Sequence, residues 1–433
     1  MATQQLRFSD KEEIKQAVAN SRLTFQSGHT RPLKFRRHQL EQLWRMLDEN
    51  ENLLCDAVYS DLHKHKNEVI PGEICTSKEE IHLTLLHLEE WARDEKTSPS
   101  LVAKDATCIK RKEPKGSTLI IAPWNYPIYL VLGPLIGAIA AGCTAVVKPS
   151  EVAPHTAQVM TDLIRQYLDN KAYIVINGGT CVAPDYILIT EKGEAKLIPA
   201  LKTALKELYG EDPQESKDYG RIVNVRHFKR LCDTLMQNKS GQIVIGGQAD
   251  EDDLYIAPTV ISDVARDDTL MEEELFGPLL PIIRVADVDD AIEYINSKHD
   301  PLALYVFSSN KKFVNKVLES TRSGGALVND TLMHVVESSL PFGGRGNSGM
   351  GTYHGKDSFD AFTQVRSIMF RGLNPVVEKV LTVRYPPYSK EKLIISKLAF
   401  VSVPQFKQGF IRRYMKWVVL AVVFGFGYKR AIA

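Results

Sequence analysis

The sequence predicts an α/β protein made of a helical N-terminal scaffold, a short parallel sheet, a second α/β unit and an apolar C-terminal tail. Two observations predict its α/β core. Residues 117–122, 144–148 and 172–176 are apolar β-type runs, separated by helix-like segments at 133–141 and 155–167. Strand, helix, strand at that spacing gives a parallel sheet with right-handed crossovers. The alternation restarts at 186–189, with further strands near 243–245, 302–306 and 326–328 and helices at 194–209, 285–298 and 311–320.

Taken in order, Ser9-Asp10-Lys11-Glu12 has the capping-box pattern that opens a helix, here running to about Asn20. Leu40, Leu43, Trp44 and Leu47 recur at i, i+3, i+4 and i+7 and so share one apolar helix face. Leu53, Leu54, Ala57, Val58 and Leu62 continue the pattern, and the N-terminal region reads as mostly helical scaffold. In the parallel sheet that follows, ligands bind beyond the carboxyl ends of the strands. Trp124-Asn125 and Lys148-Pro149-Ser150-Glu151 fall there. The stretch 210–219 is a polar surface loop, and neither internal repeats nor low-complexity tracts occur.

The composition fits an ordinary globular protein, with 44% hydrophobic and 25% charged residues and a net charge of +1. No basic stripe with interleaved aromatics suggests nucleic-acid binding. Cys55, Cys75, Cys108, Cys143, Cys181 and Cys232 lack metal-ligand spacing, so no metal site is expected and a reducing compartment fits. The polar N-terminus is not a secretory signal, which places the chain on the cytosolic side. At the other end, Trp417 to Tyr428 form an apolar run flanked by Arg412, Arg413, Lys416, Lys429 and Arg430. As a helix this run is about 18 Å long, against roughly 30 Å of hydrocarbon core. The bracketing aromatic and basic residues favour a tail seated at a membrane surface over a helix packed on the protein.

The segments APWNYP, VVKPSE, GTCVAPDY, EELFGPLLP and LPFGGRGNSGMGTYHGKDSFDAF, in this order, resemble the aldehyde dehydrogenase superfamily over almost the whole chain. The branch most similar is class 3, which includes membrane-anchored fatty aldehyde dehydrogenases. The resemblance implies oxidation of medium or long aliphatic aldehydes to acids with NAD or NADP, in a homodimer on the cytosolic face of an intracellular membrane such as the endoplasmic reticulum. It divides the chain into a helical N-terminus with a cofactor-binding domain (1–179), a catalytic domain (180–385) and a C-terminal extension (386–433).

The residues themselves agree with this chemistry. Cys181, after Gly178-Gly179-Thr180, suits the nucleophile, since a thiol is the most nucleophilic side chain near neutral pH. The other five cysteines read as small hydrophobes. Asn125, at the end of a parallel strand, suits donation to the oxyanion that forms on the attacked carbonyl. Trp124 and Tyr126 wall an apolar tunnel or are simple core aromatics, and the resemblance sets Trp124 beside the cofactor. It also carries Lys148 and Glu151 to the adenosine ribose, Glu274 to the nicotinamide ribose, and Phe276 to the nicotinamide. An exposed Lys148–Glu151 ion pair needs no such role. Phe342 and its following glycines resemble the family's loop near the substrate entrance, where Arg345 replaces a usual apolar residue.

One stretch of the family pattern is absent. In relatives about two βα units of roughly 30 residues each separate the counterparts of Gly179 and Thr180. They carry a Gly-Ser/Thr phosphate loop and a Glu-Leu-Gly-Gly-Lys segment whose Glu is the general base. Here INGG runs straight into TCVAPDY, which reads as an internal deletion that truncates the cofactor-binding domain. The expected consequences are slowed water attack on the thioester, weaker dinucleotide binding and unpaired sheet edges. A catalytically inactive isoform that associates with full-length subunits is the alternative, and a residual thiol esterase a third.

Overall fold

A computed structural model describes residues 9–100, 103, 105–176 and 185–400. Cys181, the expected domain boundary at Gly179, and the apolar tail therefore lie outside the described residues. Two compact units emerge: Met1–Trp91 with Pro114–Thr363, and Ala92–Glu113 with Gln364–Ala433.

The larger unit begins with helices. Lys11–Gln26 starts at Asp10, whose carboxylate accepts the amides of Glu12 and Glu13 while the Glu13 side chain answers the Asp10 amide. The helix Leu33–Glu49 buries Leu40, Leu43, Met46 and Leu47 completely. Trp44, expected on that face, is instead 38% exposed beneath the Lys78 ammonium, 5.0 Å from its ring centre. An amphipathic tip tolerates that rim position. Likewise Leu53 is exposed, while Leu54, Ala57, Val58 and Leu62 of Glu51–Leu62 are buried. A π-helical turn, Ile70–Cys75, then leads into the long helix Thr76–Ala92.

The expected parallel sheet is present. Ser117–Ile121, Thr144–Lys148 and Tyr173–Val175 pair in parallel, in that order across the sheet. The central strand is buried along Thr144–Val147, as a strand covered on both faces must be. The edge strand Ser117–Ile121 differs, with Leu119 59% and Ile121 58% exposed. The crossover helix Tyr129–Ala141 starts four residues earlier than its sequence suggests. The next, Pro154–Tyr167, begins one residue early, with proline at its first position. Gly137 lets the helix Gly355–Phe362 close on the first crossover helix, since a Cβ there would lie 2.8 Å from Ser358 Cβ.

Further along the chain, Ile187–Ile189, Leu279–Arg284 and Thr259–Ser262 form a parallel run, and Gln242–Ile245 adds antiparallel to the last. Ala303–Val306 and Gly325–Val328 make a separate parallel pair. Helices Glu191–Tyr209, Val225–Met236, Val288–Ser297 and Lys311–Ser320 accompany these strands. The core here includes Phe228, Leu231, Ile256, Ile261, Leu270, Leu279 and Ile283. The α/β class is thus observed.

The smaller unit is a three-stranded sheet that sequence reading did not anticipate: Glu95–Thr97, Ala106–Pro114 and Thr363–Arg371, in that order. Its strands carry ion pairs, Arg111–Asp94 at 2.7 Å, Lys110–Glu95 at 2.8 Å and Arg366–Glu113 at 3.1 Å.

Candidate active site

The site is built where strands end. Ser117–Ile121 and Thr144–Lys148 are adjacent and parallel, so the loops that follow them, 122–128 and 149–153, lie at the same edge of the sheet. The amide of Ala122 still donates to Lys148 O at 3.0 Å, which ties the two loop roots together. Trp124, Asn125 and Tyr126 are half-buried on the first loop; Lys148 and Glu151 are half-buried on the second. Lys148 Nζ stands 3.4 Å from Glu151 Oε2, and burial pushes the ammonium below its usual range. Tyr126 is pushed up, again by burial.

Both crossover helices present their N-termini at this edge, and a carboxylate already occupies each. Glu73 Oε2 accepts the amides of Ile128 at 2.8 Å and Tyr129 at 3.2 Å. Asp61 accepts the amides of His155 at 3.1 Å and Thr156 at 2.8 Å, and its side chain is almost wholly buried. A helix N-terminus serves anion binding only while its amides are open. Among the described residues, therefore, neither crossover helix offers an open site for a pyrophosphate.

Phe276 meets Trp124, with ring centres 5.2 Å apart and planes near perpendicular, so two residues expected beside the cofactor are brought together. Phe276 holds the left-handed φ of 55°, an uncommon conformation for a bulky residue. Its neighbour supplies the restraint: Leu275 donates its amide to Asp185 at 2.8 Å and receives Arg230 on its carbonyl. Asp185, pushed up by burial, lies in the same GTCVAPDY segment as Cys181. Glu274 is exposed beside this pair.

Sequence reasoning missed His227, whose ring lies 5.6 Å from Trp124. Burial lowers its pKa, and Nδ1 has no hydrogen-bond partner among the described residues. No spacing signal singles it out. A cavity of about 650 Å³ lies alongside, lined by Arg226, Arg230, Thr234, Gln237 and Glu273.

Phe342 is held by a bridge to Tyr353 and stacks on His354, with ring centres 5.8 Å apart. His354 Nε2 meets the Tyr129 hydroxyl at 2.6 Å, so the entrance-loop candidate reaches the helix that follows Asn125. Arg345, out of place by pattern, pairs with Asp300 at 3.2 Å. Gly343 and Gly344 are obligatory, since a Cβ on either would lie 2.1 Å from a backbone oxygen. Of the remaining cysteines, Cys55 and Cys143 are buried as expected, Cys108 and Cys232 only partly, and Cys75 is exposed.

The "Aldehyde dehydrogenase family" profile matches residues 2–179 and again 169–368. Aldehyde dehydrogenase family 3 member B1 of Bos taurus is 40% identical over 451 aligned positions, covering 87% of this chain and 95% of the relative. Those 451 positions outnumber the 433 residues of the whole chain, so the relative carries residues with no counterpart here. The substrate-bound Staphylococcus aureus AldH superposes with a TM-score of 0.83 at 35% identity, covering 88% of this chain and 98% of that one. An NAD+ complex of aldehyde dehydrogenase from Bacillus cereus shares the fold at a TM-score of 0.74 and 20% identity, over 84% of this chain and 90% of that one. By sequence, profile and fold alike, this chain belongs to the aldehyde dehydrogenase family, among relatives of the family 3 type.

Proposed function

We propose that the chain is an NAD(P)-dependent dehydrogenase of medium or long aliphatic aldehydes whose turnover is held down by an internal deletion between Gly179 and Thr180. In this reading the Cys181 thiolate attacks the aldehyde carbon, Asn125 donates to the oxyanion, and the resulting thioester is hydrolysed to the acid. NAD or NADP supplies the hydride acceptor when bound, with Lys148, Glu151, Glu274, Phe276 and Trp124 as its contacts. Tyr126 and Phe342 line the path of the aldehyde.

The observation that carries the deletion is the alignment longer than the chain, together with a profile match in two pieces that meet at 169–179. The exposed Leu119 and Ile121 on an open parallel edge support it, because parallel sheets are normally covered. Loss of the general-base Glu costs about 10²–10⁴ in rate. Without the helix N-terminus that meets the pyrophosphate in relatives, and with both crossover helix N-termini here occupied, dinucleotide affinity falls as well. The test is NADH formation from a long-chain aldehyde: slow turnover that vanishes in Cys181→Ala is expected, and turnover equal to that variant's sinks the reading.

A second reading, an inactive isoform that pairs with full-length subunits, draws on the same open edge. Thr363–Arg371 also leaves Val365, Met369 and Phe370 about half exposed, which suits a homodimer or mixed dimer. Co-purification with a full-length family 3 subunit tests it; absence of a complex counts against it. Seating at a cytosolic membrane surface rests on the 417–428 run and its basic flanks. Among the described residues no helix is long and apolar enough to cross a membrane. Sedimentation with anionic vesicles, lost on removing 410–433, is the check.

A further inference from the structure

We propose that Lys64 and Glu73 are positioning residues for the oxyanion donor: without touching substrate, they lock the backbone that carries Asn125. This rests on the reading of Asn125 as that donor. Glu73 is fully buried and lies in the π-helical turn Ile70–Cys75, a rare geometry that recurs near functional sites. Its Oε2 takes the amides of Ile128 and Tyr129, where the helix dipole favours a negative charge. Its Oε1 faces Lys64 Nζ at 3.3 Å.

Lys64 is itself only 9% exposed, and its ammonium makes three further contacts. Nζ stands 3.4 Å from the Asn125 carbonyl oxygen, 3.7 Å from Glu68 Oε1 and 3.6 Å from the centre of the Tyr126 ring. Between these anchors Pro127 has its φ fixed by its own ring. Every residue from Asn125 to Tyr129 is therefore restrained by the ion pair or by proline. A buried ion pair adds little net stability, because desolvation offsets the Coulomb gain. What this one supplies is geometry. The Asn125 amide is aimed by a backbone clamped on both sides, and displacement of about 1 Å in such a group costs on the order of 10²-fold in rate.

The experiment compares two reactions of Cys181 in the full chain. With p-nitrophenyl acetate the thiolate attacks the carbonyl, the acetyl group passes to sulfur and p-nitrophenolate leaves; an oxyanion forms on the way. With iodoacetamide the thiolate displaces iodide and no oxyanion forms. Lys64→Met and Glu73→Gln are each expected to slow acylation about 10–100-fold with alkylation within about twofold of the unsubstituted chain. The double variant Lys64→Met/Asn125→Ala is expected to be no slower than Asn125→Ala alone. Equal slowing of both reactions, or full additivity in the double variant, overturns the proposal. So does unchanged acylation in Lys64→Met when Asn125→Ala is slow. If Asn125→Ala acylates normally, the active-site reading itself fails and takes this one with it. Should Lys64→Met not fold, Lys64→Arg keeps the charge in a planar fork that cannot make the same contacts; it too must lose acylation selectively, and normal acylation overturns the proposal.

Discussion

Glu80 is a buried carboxyl whose Oε1 accepts the Gly355 amide at 2.6 Å and the Ser358 hydroxyl at 3.1 Å, while Oε2 has no partner among the described residues. Burial, only partly offset by those donors, pushes it up to about 7 from 4.5. The folded chain thus keeps a proton that the unfolded chain releases above 4.5, so stability falls as pH rises between 4.5 and 7. That loss amounts to about 3 kcal/mol at full ionisation. His354, lowered by burial from 6.5, acts in the opposite sense, its contribution being lost as pH falls below 6.5. Glu80→Gln isolates the carboxyl: the difference in Tm between variant and unsubstituted chain is expected to grow in the variant's favour from pH 5 to 7.5. A constant difference contradicts it.

At the same scale, Trp124 and Phe276 were each singled out by the motif they sit in, and the structure sets their rings edge to face. Lys64, Glu73, Asp61 and His227 were not. Their roles depend on contacts made across the fold, such as Glu73 reaching the Ile128 amide, and no local spacing encodes those. Asn125→Ala is expected to slow thioester formation at Cys181 about 10²–10³-fold, the loss of one oxyanion donor. Stopped-flow release of p-nitrophenolate is the measurement.

Among elements, the strands and helices of the parallel sheet were readable from periodicity, but their starts were not. The first crossover helix was expected from Gly133, where the small residues begin; it starts at Tyr129 because Glu73 caps it from a distant part of the chain. The second depends on Asp61 in the same way. Asp61→Ala leaves the His155 and Thr156 amides open and is expected to cost about 1–3 kcal/mol, measurable by urea unfolding; an unchanged midpoint contradicts the cap. The small three-stranded sheet escaped notice because Ala106–Pro114 carries four successive charges, Lys110 to Glu113, and Thr363–Arg371 is mostly exposed, so neither alternates as a half-buried strand should. In the loop that follows Phe342, Gly343→Ala forces a Cβ against the Gly351 carbonyl and is expected to lower stability by about 1–3 kcal/mol.

For the whole molecule, the α/β architecture and family were legible from five ordered motifs; the deletion proposed between Gly179 and Thr180 falls outside the described residues. What the sequence could not convey is which strand is left at the edge of the described sheet. The strand Ser117–Ile121 stays an edge with Leu119 and Ile121 showing, and the purified chain is expected to self-associate at micromolar concentration. Leu119→Lys should reduce light scattering without loss of helicity by circular dichroism; scattering that is unchanged argues that the edge is not the cause.

The most direct measurement supplies the segment that the proposed deletion removes. Inserting the corresponding stretch of the Bos taurus relative between Gly179 and Thr180 is expected to raise NADH formation from a long-chain aldehyde at least about 100-fold, in a manner abolished by Cys181→Ala. A restored chain that binds the dinucleotide yet turns over no faster than the original contradicts the account.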